Sequence, residues 1–126
     1  MYTQRNVELD DILSQFIAAT DGVIGVAIGG MDGLLVEQLP ADNRALISGM
    51  VAENANLLRS MVNTYKNVLD LGTVTEIIVQ SEKAIGYVRP INKDFFLTVI
   101  LEPKGNLGKT RLLSAETVRQ LQKVLS

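Results

Sequence analysis

The sequence predicts an α/β (α+β) fold in which helices cover both faces of one five-stranded antiparallel sheet, in the element order αββαβββα. Residues 23–28 and 95–101 place apolar residues on both faces of a strand, which is typical of central strands that are covered above and below. Three other segments have apolar residues at helical spacing. Short polar turns join strands 1–2 and 3–4–5, so placing the two apolar strands side by side predicts the order 2-1-5-4-3 in a three-layer α/β/α arrangement.

The N-terminal half begins with an amphipathic helix. Apolar residues recur from Leu9 to Ile17 at i, i+3, i+4, i+7 and i+8, and Asn6 is suited to be the N-cap. A short strand over residues 23–28 follows. The Asp32-Gly33 pair then turns the chain into a second strand at residues 34–39.

A long second helix is expected to begin at the cap Asp42 and to end near Leu71, where Gly72 would be the C′ residue. Residues 74–80, 84–91 and 95–101 predict three further strands, joined by tight polar turns. The last helix is predicted over residues 107–125. At a rise of 1.5 Å per residue the second helix would be ~45 Å long, which exceeds what a compact domain of this size needs.

Composition limits the chemistry that this chain can perform. Its 126 residues suit a single domain over residues 1–126, and they include no His, no Cys and no Trp. This excludes Ser-His-Asp and Cys-His nucleophiles, and metal or haem sites built on imidazole or thiolate. The net charge of −2 provides no generally basic surface for nucleic acid. We therefore expect a protein that is not an enzyme and needs no cofactor.

The start of the chain and its apolar segments bear on location. Residues 1–6 lead directly into the acidic stretch Glu8 to Asp11, which does not resemble a signal peptide. The longest uncharged apolar stretches, residues 23–31 and 95–101, are too short to span a bilayer. We expect a cytoplasmic protein that does not insert into membranes.

The second helix and the third strand predict self-association. The apolar set of the helix is broader than one sheet face can cover, and small residues beside it would let another helix approach closely. The third strand is expected at the sheet edge, where Ile77-Ile78-Val79 is guarded only by Glu76. Two-fold pairing of this edge would bury both features in a homodimer. The predicted interface consists of Ala45, Gly49, Ala52, Asn56, Val74, Glu76 and Ile78.

Two motifs suggest chemistry that the rest of the chain does not support. Residues 105–110 end in Gly-Lys-Thr before a helix, as a phosphate-binding loop does. The first motif position is Pro103, which has no N–H, and no later strand could bring an acidic residue to Mg²⁺. The alternative is a small nucleotide-dependent enzyme. If this loop binds ATP or GTP, Lys109→Ala should abolish that binding. A carboxylate-only Mg²⁺ or Ca²⁺ site near Asp32 is a second open alternative.

Two segments, in this order, resemble the roadblock/dynein light-chain domain family. They are Gly-Val-Ile-Gly-Val-Ala-Ile-Gly-Gly-Met-Asp-Gly-Leu-Leu-Val at residues 22–36 and Gly-Asn-Leu-Gly-Lys-Thr-Arg at residues 105–111. The first looks like the family's strand–turn–strand, and the second like its Asn-Leu-Gly-x-x-Arg start to the last helix. The resemblance covers nearly the whole chain and accounts for the apparent phosphate loop.

The resemblance implies a homodimer with a sheet continuous across the two third strands and with paired second helices. It also implies a regulator or scaffold of Ras-like small GTPases, similar to the prokaryotic B-type gliding-motility and polarity protein. Candidate contacts with such a GTPase are the exposed positions of the second helix: Arg44, Ser48, Asn56, Arg59 and Asn63. A different class also remains open, a small-ligand sensor with a profilin-, longin- or PAS-like sheet, and that class requires a cavity.

Overall fold

The structure, a computed structural model, describes residues 6–126. Residues 1–5, on which the signal-peptide prediction partly depends, lie outside the described residues. The observed order confirms the predicted fold, with one sheet arranged β2-β1-β5-β4-β3 and every neighbouring pair antiparallel. The elements are α1 (Val7–Ala19), β1 (Val23–Gly30), β2 (Leu35–Leu39), α2 (Arg44–Val62), a π-helix (Asn63–Val68), β3 (Ile77–Gln80), β4 (Ile85–Pro90), β5 (Phe95–Leu101) and α3 (Leu107–Val124).

The three layers enclose two apolar cores, one on each side of the sheet. On one face, Leu13 of α1 and Leu121 of α3 are fully buried against the sheet. On the other face, α2 buries Val51 and Leu58 against β1, β4 and β5. The central strands β1 and β5 are therefore covered above and below, as the apolar residues on both of their faces predict.

The first and last helices begin at side-chain caps. The Asn6 Oδ1 atom accepts a hydrogen bond from the Leu9 backbone N–H at 3.1 Å, which confirms Asn6 as the N-cap of α1. Asn106 does the same for α3, since its Oδ1 atom accepts from the Lys109 N–H at 3.0 Å. Each cap satisfies a backbone donor that the first helical turn leaves without a partner.

The second helix differs from its prediction at both ends. Asp42 is not the cap: the helix begins after Asn43, which has a left-handed backbone (φ 54°) and makes no capping hydrogen bond. The α-helix has 19 residues and passes into a π-helix of 6 residues, so Gly72 does not end it. The π-helical sequence Asn-Thr-Tyr-Lys-Asn-Val is poor in strong helix formers, and Asn and Thr side chains compete for backbone hydrogen bonds.

The third strand begins three residues later than predicted, at Ile77 instead of Val74. The β3–β4 ladder starts with the pair Ile77 and Val88. One more pair in the same register would join Glu76 to Arg89, and the next would require Pro90. Because proline has no N–H, it cannot continue the ladder, and residues 74–76 remain without regular structure.

Glycines permit two features near β1. A Cβ atom on Gly29 would lie 2.5 Å from Phe96 Cζ and 2.7 Å from Val51 Cγ1, so the absence of a side chain lets α2 approach the sheet. In the β1–β2 turn, the Leu34 N–H donates to Asp32 Oδ1 at 3.1 Å, and Gly33 has a φ of +92°. The second observation confirms the predicted role of Asp32-Gly33 in the hairpin. Among residues 6–126, no helix combines the length and apolar character that crossing a membrane requires.

Candidate interaction surfaces

The second helix presents two flanks to solvent because only one line of its residues faces the sheet. Its buried residues are Ile47, Val51, Ala55 and Leu58, which recur at the spacing of one helical face. Successive helical residues are about 100° apart. The remaining positions of α2 therefore divide into a flank on the side of the β1–β2 turn and a flank on the side of β3.

The first of these surfaces, which we call the polar flank, lies beside the β1–β2 turn. The Arg59 guanidinium donates to the Met31 backbone oxygen in that turn and to the Asn56 side-chain oxygen. Ala52 lies close to the same turn, since a Cβ on Gly33 would be 3.8 Å from the Ala52 Cα. Helical spacing puts most of the predicted α2 residues on this flank: Ala45, Ser48, Gly49, Ala52, Asn56, Arg59 and Asn63. Arg44 is exposed at the first residue of the helix, apart from the flank.

On the other side of α2, apolar side chains continue onto the sheet edge. Leu57, Met61 and Tyr65 border one groove together with Ile77 and Val79 of β3. We call this surface the β3 groove; its volume is about 520 Å³. The groove also reaches Val74 and Glu76 in the segment that leads into β3.

The outer edge of β3 adjoins this groove. Within residues 6–126, β3 pairs only with β4, so its other edge has no neighbouring strand. Val79 is 49% exposed on the groove side, and Ile78, which points to the opposite face, is 39% exposed. An apolar strand edge of this kind is a template for pairing with another chain.

The carboxylate of Glu76 is bound by other side chains of the same chain and is not a free charge at this edge. Its Oε2 atom accepts from Arg111 Nε at 2.8 Å, and its Oε1 atom accepts from the Tyr87 hydroxyl at 2.8 Å. Arg89 adds a donor to the Tyr87 oxygen at 3.2 Å. The hydrogen bond from Arg111 holds the pKa of Glu76 below its ordinary value, although partial burial acts in the opposite direction. Burial raises the pKa of Tyr87.

The Glu76 cluster ties the start of β3 to α3, and it was not anticipated from the sequence. An acidic residue at the start of an apolar strand was the available signal, but its partners come from β4 and α3. The acidic residue at this edge, Glu76, therefore has its carboxylate already bound to Arg111 and Tyr87. The structure therefore strengthens the sequence argument that this edge is unprotected.

The loop that resembles a phosphate site has a structural role. Thr110 is fully buried, and its hydroxyl donates to the Asn106 backbone oxygen at 3.0 Å. Gly105 packs tightly, since a Cβ there would be 3.0 Å from the Leu101 Cβ, and a Cβ on Gly22 would be 2.7 Å from the Gly105 Cα. The hydroxyl that a phosphate loop directs at a metal ion is thus committed to the helix start.

The open metal alternative finds no ligand set in the described part of the chain. Asp32 accepts the Leu34 N–H within its own turn. Across residues 6–126 no group of three or more acidic side chains is close enough to hold a metal ion.

The predicted interface residues do not all meet. The small residues Gly49 and Ala52 share the polar flank with Arg59, whereas Val74 and Ile78 lie at the β3 side of the domain. What sequence reasoning missed is that the apolar stripe, and not the small residues, is continuous with β3. The signal was present in Leu57, Met61 and Tyr65, which are spaced four residues apart and so share one face.

The sequence matches one family model. The Roadblock/LC7 domain model aligns with residues 9–101. A comparison with curated proteins found no significant match.

Solved structures share the fold at low sequence identity. MglB from Myxococcus xanthus superposes with a TM-score of 0.86 at 15% identity, covering 99% of this chain and 92% of that chain. A Roadblock/LC7 domain from Streptomyces avermitilis has a TM-score of 0.84 at 16% identity and covers 92% and 96%. An MglB structure with a tetrameric arrangement has a TM-score of 0.83 at 16% identity and covers 98% and 92%.

Proposed function

Because this chain belongs to the Roadblock/LC7 domain family, we propose that it is a homodimeric, non-enzymatic regulator or scaffold that binds a Ras-like small GTPase in the cytoplasm. In this role the chain modulates the GTPase cycle of its partner and has no catalytic site of its own. Two structural features support the proposal: the apolar outer edge of β3, which no strand within residues 6–126 covers, and the differing chemistry of the two α2 flanks.

Self-association is assigned to the β3 groove and the β3 edge. A two-fold axis beside β3 would pair Ile77–Gln80 with the same strand of a second copy and supply the missing backbone hydrogen bonds. This two-fold contact would also cover Val79 and the groove-lining side chains Met61 and Tyr65. The MglB structure with a tetrameric arrangement supports assembly within this fold.

GTPase binding is assigned to the polar flank. Its composition of small and polar side chains suits a regulatory interface, which is more polar than a permanent one. Arg59 is the anchor that we expect to matter most, because the turn at Met31 orients its guanidinium while other N–H donors remain exposed. Arginine in such a position recognises a carboxylate through two parallel hydrogen bonds. Arg44, Ser48 and Asn63 are the other candidate contacts.

The single observation that carries this division is the position of Arg59. It fixes the polar flank against the β1–β2 turn, on the opposite side of α2 from the β3 groove. A homodimer formed through β3 therefore leaves the polar flank of each protomer open to a partner.

The test is a titration with the Ras-like GTPase from the same organism, loaded either with GDP or with a non-hydrolysable GTP analogue. We expect binding in at least one state, and a change in the rate of GTP hydrolysis or nucleotide exchange on adding this chain. Arg59→Ala should weaken binding at least tenfold. The matched control is Arg119→Ala, which removes an exposed arginine of α3 that is paired with Glu116. No binding in either nucleotide state would refute the GTPase assignment, and equal losses in both variants would refute the role of Arg59.

A further inference from the structure

The end of the sheet contains a second cleft, which shares residues 73–75 with the β3 groove and Met31 with the β1–β2 turn. The cleft forms where β3 and β4 stop pairing, because residues 73–75 and residues 89–91 continue past the ladder without joining. Both stretches line one cavity of about 550 Å³. Leu58 and Val62 border it from the α2 layer, and Val118 borders it from the α3 layer. We call this cavity the end cleft.

Its interior is apolar and preformed. Its apolar lining includes Val62, Val74 and Pro90, which are partly exposed, and the buried core residues Leu58, Ile91 and Val118 also border it. The wall beside α3 is held by hydrogen bonds: Gln122 Nε2 donates to the Ile91 backbone oxygen at 2.8 Å. Asn92 Nδ2 likewise donates to the Leu125 oxygen at 3.0 Å. A cavity of this volume, mostly apolar with a few polar groups, has the character of a small-molecule site.

The charges at the cleft have one sign. Lys66, Lys93 and Arg89 line it, and none of its lining residues is acidic. In the part of the chain that the structure describes, neither lysine makes an ion pair. Asp94 follows Lys93 in sequence but borders a different groove, beside β2. Glu76 follows Thr75, but its carboxylate is occupied by Arg111 and Tyr87.

We propose that the end cleft binds a small amphiphilic anion, a molecule with one carboxylate or phosphate head group and an apolar body. The apolar body packs against Val62, Val74 and Pro90, the partly exposed apolar residues of the cleft. The head group lies at the mouth of the cleft, between Lys66 and Lys93, where the low-dielectric walls strengthen its attraction to the two ammonium groups. This inference is independent of GTPase binding and supplies the cavity that a ligand-sensing function requires.

The test uses four ten-carbon probes, each kept below its micelle concentration: decanoate, decyl phosphate, decanol and decylammonium. The isotope-labelled full chain is titrated with each probe, and backbone amide shifts are followed by NMR. We expect decanoate, decyl phosphate or both to shift the amides of residues 62–75 and 91–93 in a saturable way. Decanol should bind several-fold more weakly than the bound anion, and decylammonium more weakly still.

Paired lysine variants separate the head-group contacts from simple apolar binding. The double variant Lys66→Gln/Lys93→Gln should weaken anion binding about tenfold, as expected for two partly exposed charge pairs, and leave decanol binding unchanged. The control Lys104→Gln/Lys109→Gln removes two lysines near the start of α3, which do not line the cleft, and should have no effect. The proposal is overturned if neither anion produces saturable shifts at the cleft, if decylammonium binds as well as the anions, or if the control weakens binding as much as the cleft variant.

Discussion

Replacing Val79 by lysine tests whether β3 is the contact between two copies of this chain. Val79 lies on the edge strand, on the wall of the β3 groove, and 49% of it is exposed in the protomer. A lysine at an edge strand is a common natural deterrent to pairing, so Val79→Lys should leave the folding of the protomer intact. In a two-fold interface, however, the ammonium group of this lysine would have to give up its hydration, which disfavours the dimer.

The size of the effect follows from the exposed fraction of this side chain. Complete burial of a valine is worth about 1.5–3 kcal/mol, so burying the exposed half contributes roughly 1 kcal/mol in each protomer. A two-fold axis uses the residue twice, which makes roughly 2 kcal/mol for the dimer. At 1.4 kcal/mol per factor of ten, Val79→Lys should raise the dimer Kd about 30-fold.

Sedimentation equilibrium over a dilution series measures this Kd directly. The matched control is Leu112→Lys, which places the same charge on α3 at an apolar position that is 73% exposed and outside the groove. We expect the control to dimerise like the parent chain. A parent chain that is monomeric at micromolar concentration would refute dimerisation itself. A dimer whose Kd is the same with and without Val79→Lys would refute the assignment to β3.

Three further predictions concern stability, measured by urea unfolding. Gly29→Ala should destabilise the protein by about 1–3 kcal/mol, because its methyl group would lie 2.5 Å from Phe96 Cζ; Gly49→Ala, with nothing within 4 Å, should instead stabilise it by about 0.5–1 kcal/mol. Glu76→Gln should lower the unfolding free energy at neutral pH. The difference in unfolding free energy between this variant and the parent chain should shrink as the pH falls below 4.5, the ordinary pKa of the carboxyl. It should vanish once the pH is below the lowered pKa of Glu76 in the folded protein, because protonation removes the same ionic contacts. Asn106→Ala removes the α3 cap and should cost about 1 kcal/mol.

Each of these predictions has an outcome that contradicts its reasoning. Similar stabilities for the two glycine variants would mean that α2 does not press on Gly29. If the difference in unfolding free energy between Glu76→Gln and the parent chain stays constant from neutral to acidic pH, the ion pair with Arg111 contributes nothing to folding. An Asn106→Ala variant as stable as the parent chain would mean that water replaces the cap.

The elements that were predicted correctly are those whose signals are local. Asn6 caps α1 because a short amide side chain reaches a backbone N–H three residues ahead. The sheet order follows from the apolar residues on both faces of β1 and β5, since central strands bury both faces. The Asp32-Gly33 turn is likewise decided within four residues.

The predictions that were wrong concern features decided by residues far away in the sequence, or by several weak local preferences. The start of β3 was predicted too early because the sequence of residues 74–76 suits a strand, whereas the ladder is ended by Pro90 on the opposite strand. Glu76 was interpreted as a guard of the strand edge because its partner Arg111 is 35 residues away in sequence. The end of α2 was predicted too late because the π-helical turn depends on weak preferences that no single residue dominates.

By itself, then, the sequence determined the fold, the resemblance to a family and the excess of apolar surface, because apolar periodicity and turn chemistry are properties of neighbouring residues. The tertiary structure alone decided which apolar residues form one surface, and it separated the polar flank of α2 from the β3 groove. It also decided that a cationic cleft opens beyond the last β3–β4 pair. These features join residues that are far apart along the chain, and only packing brings such residues together.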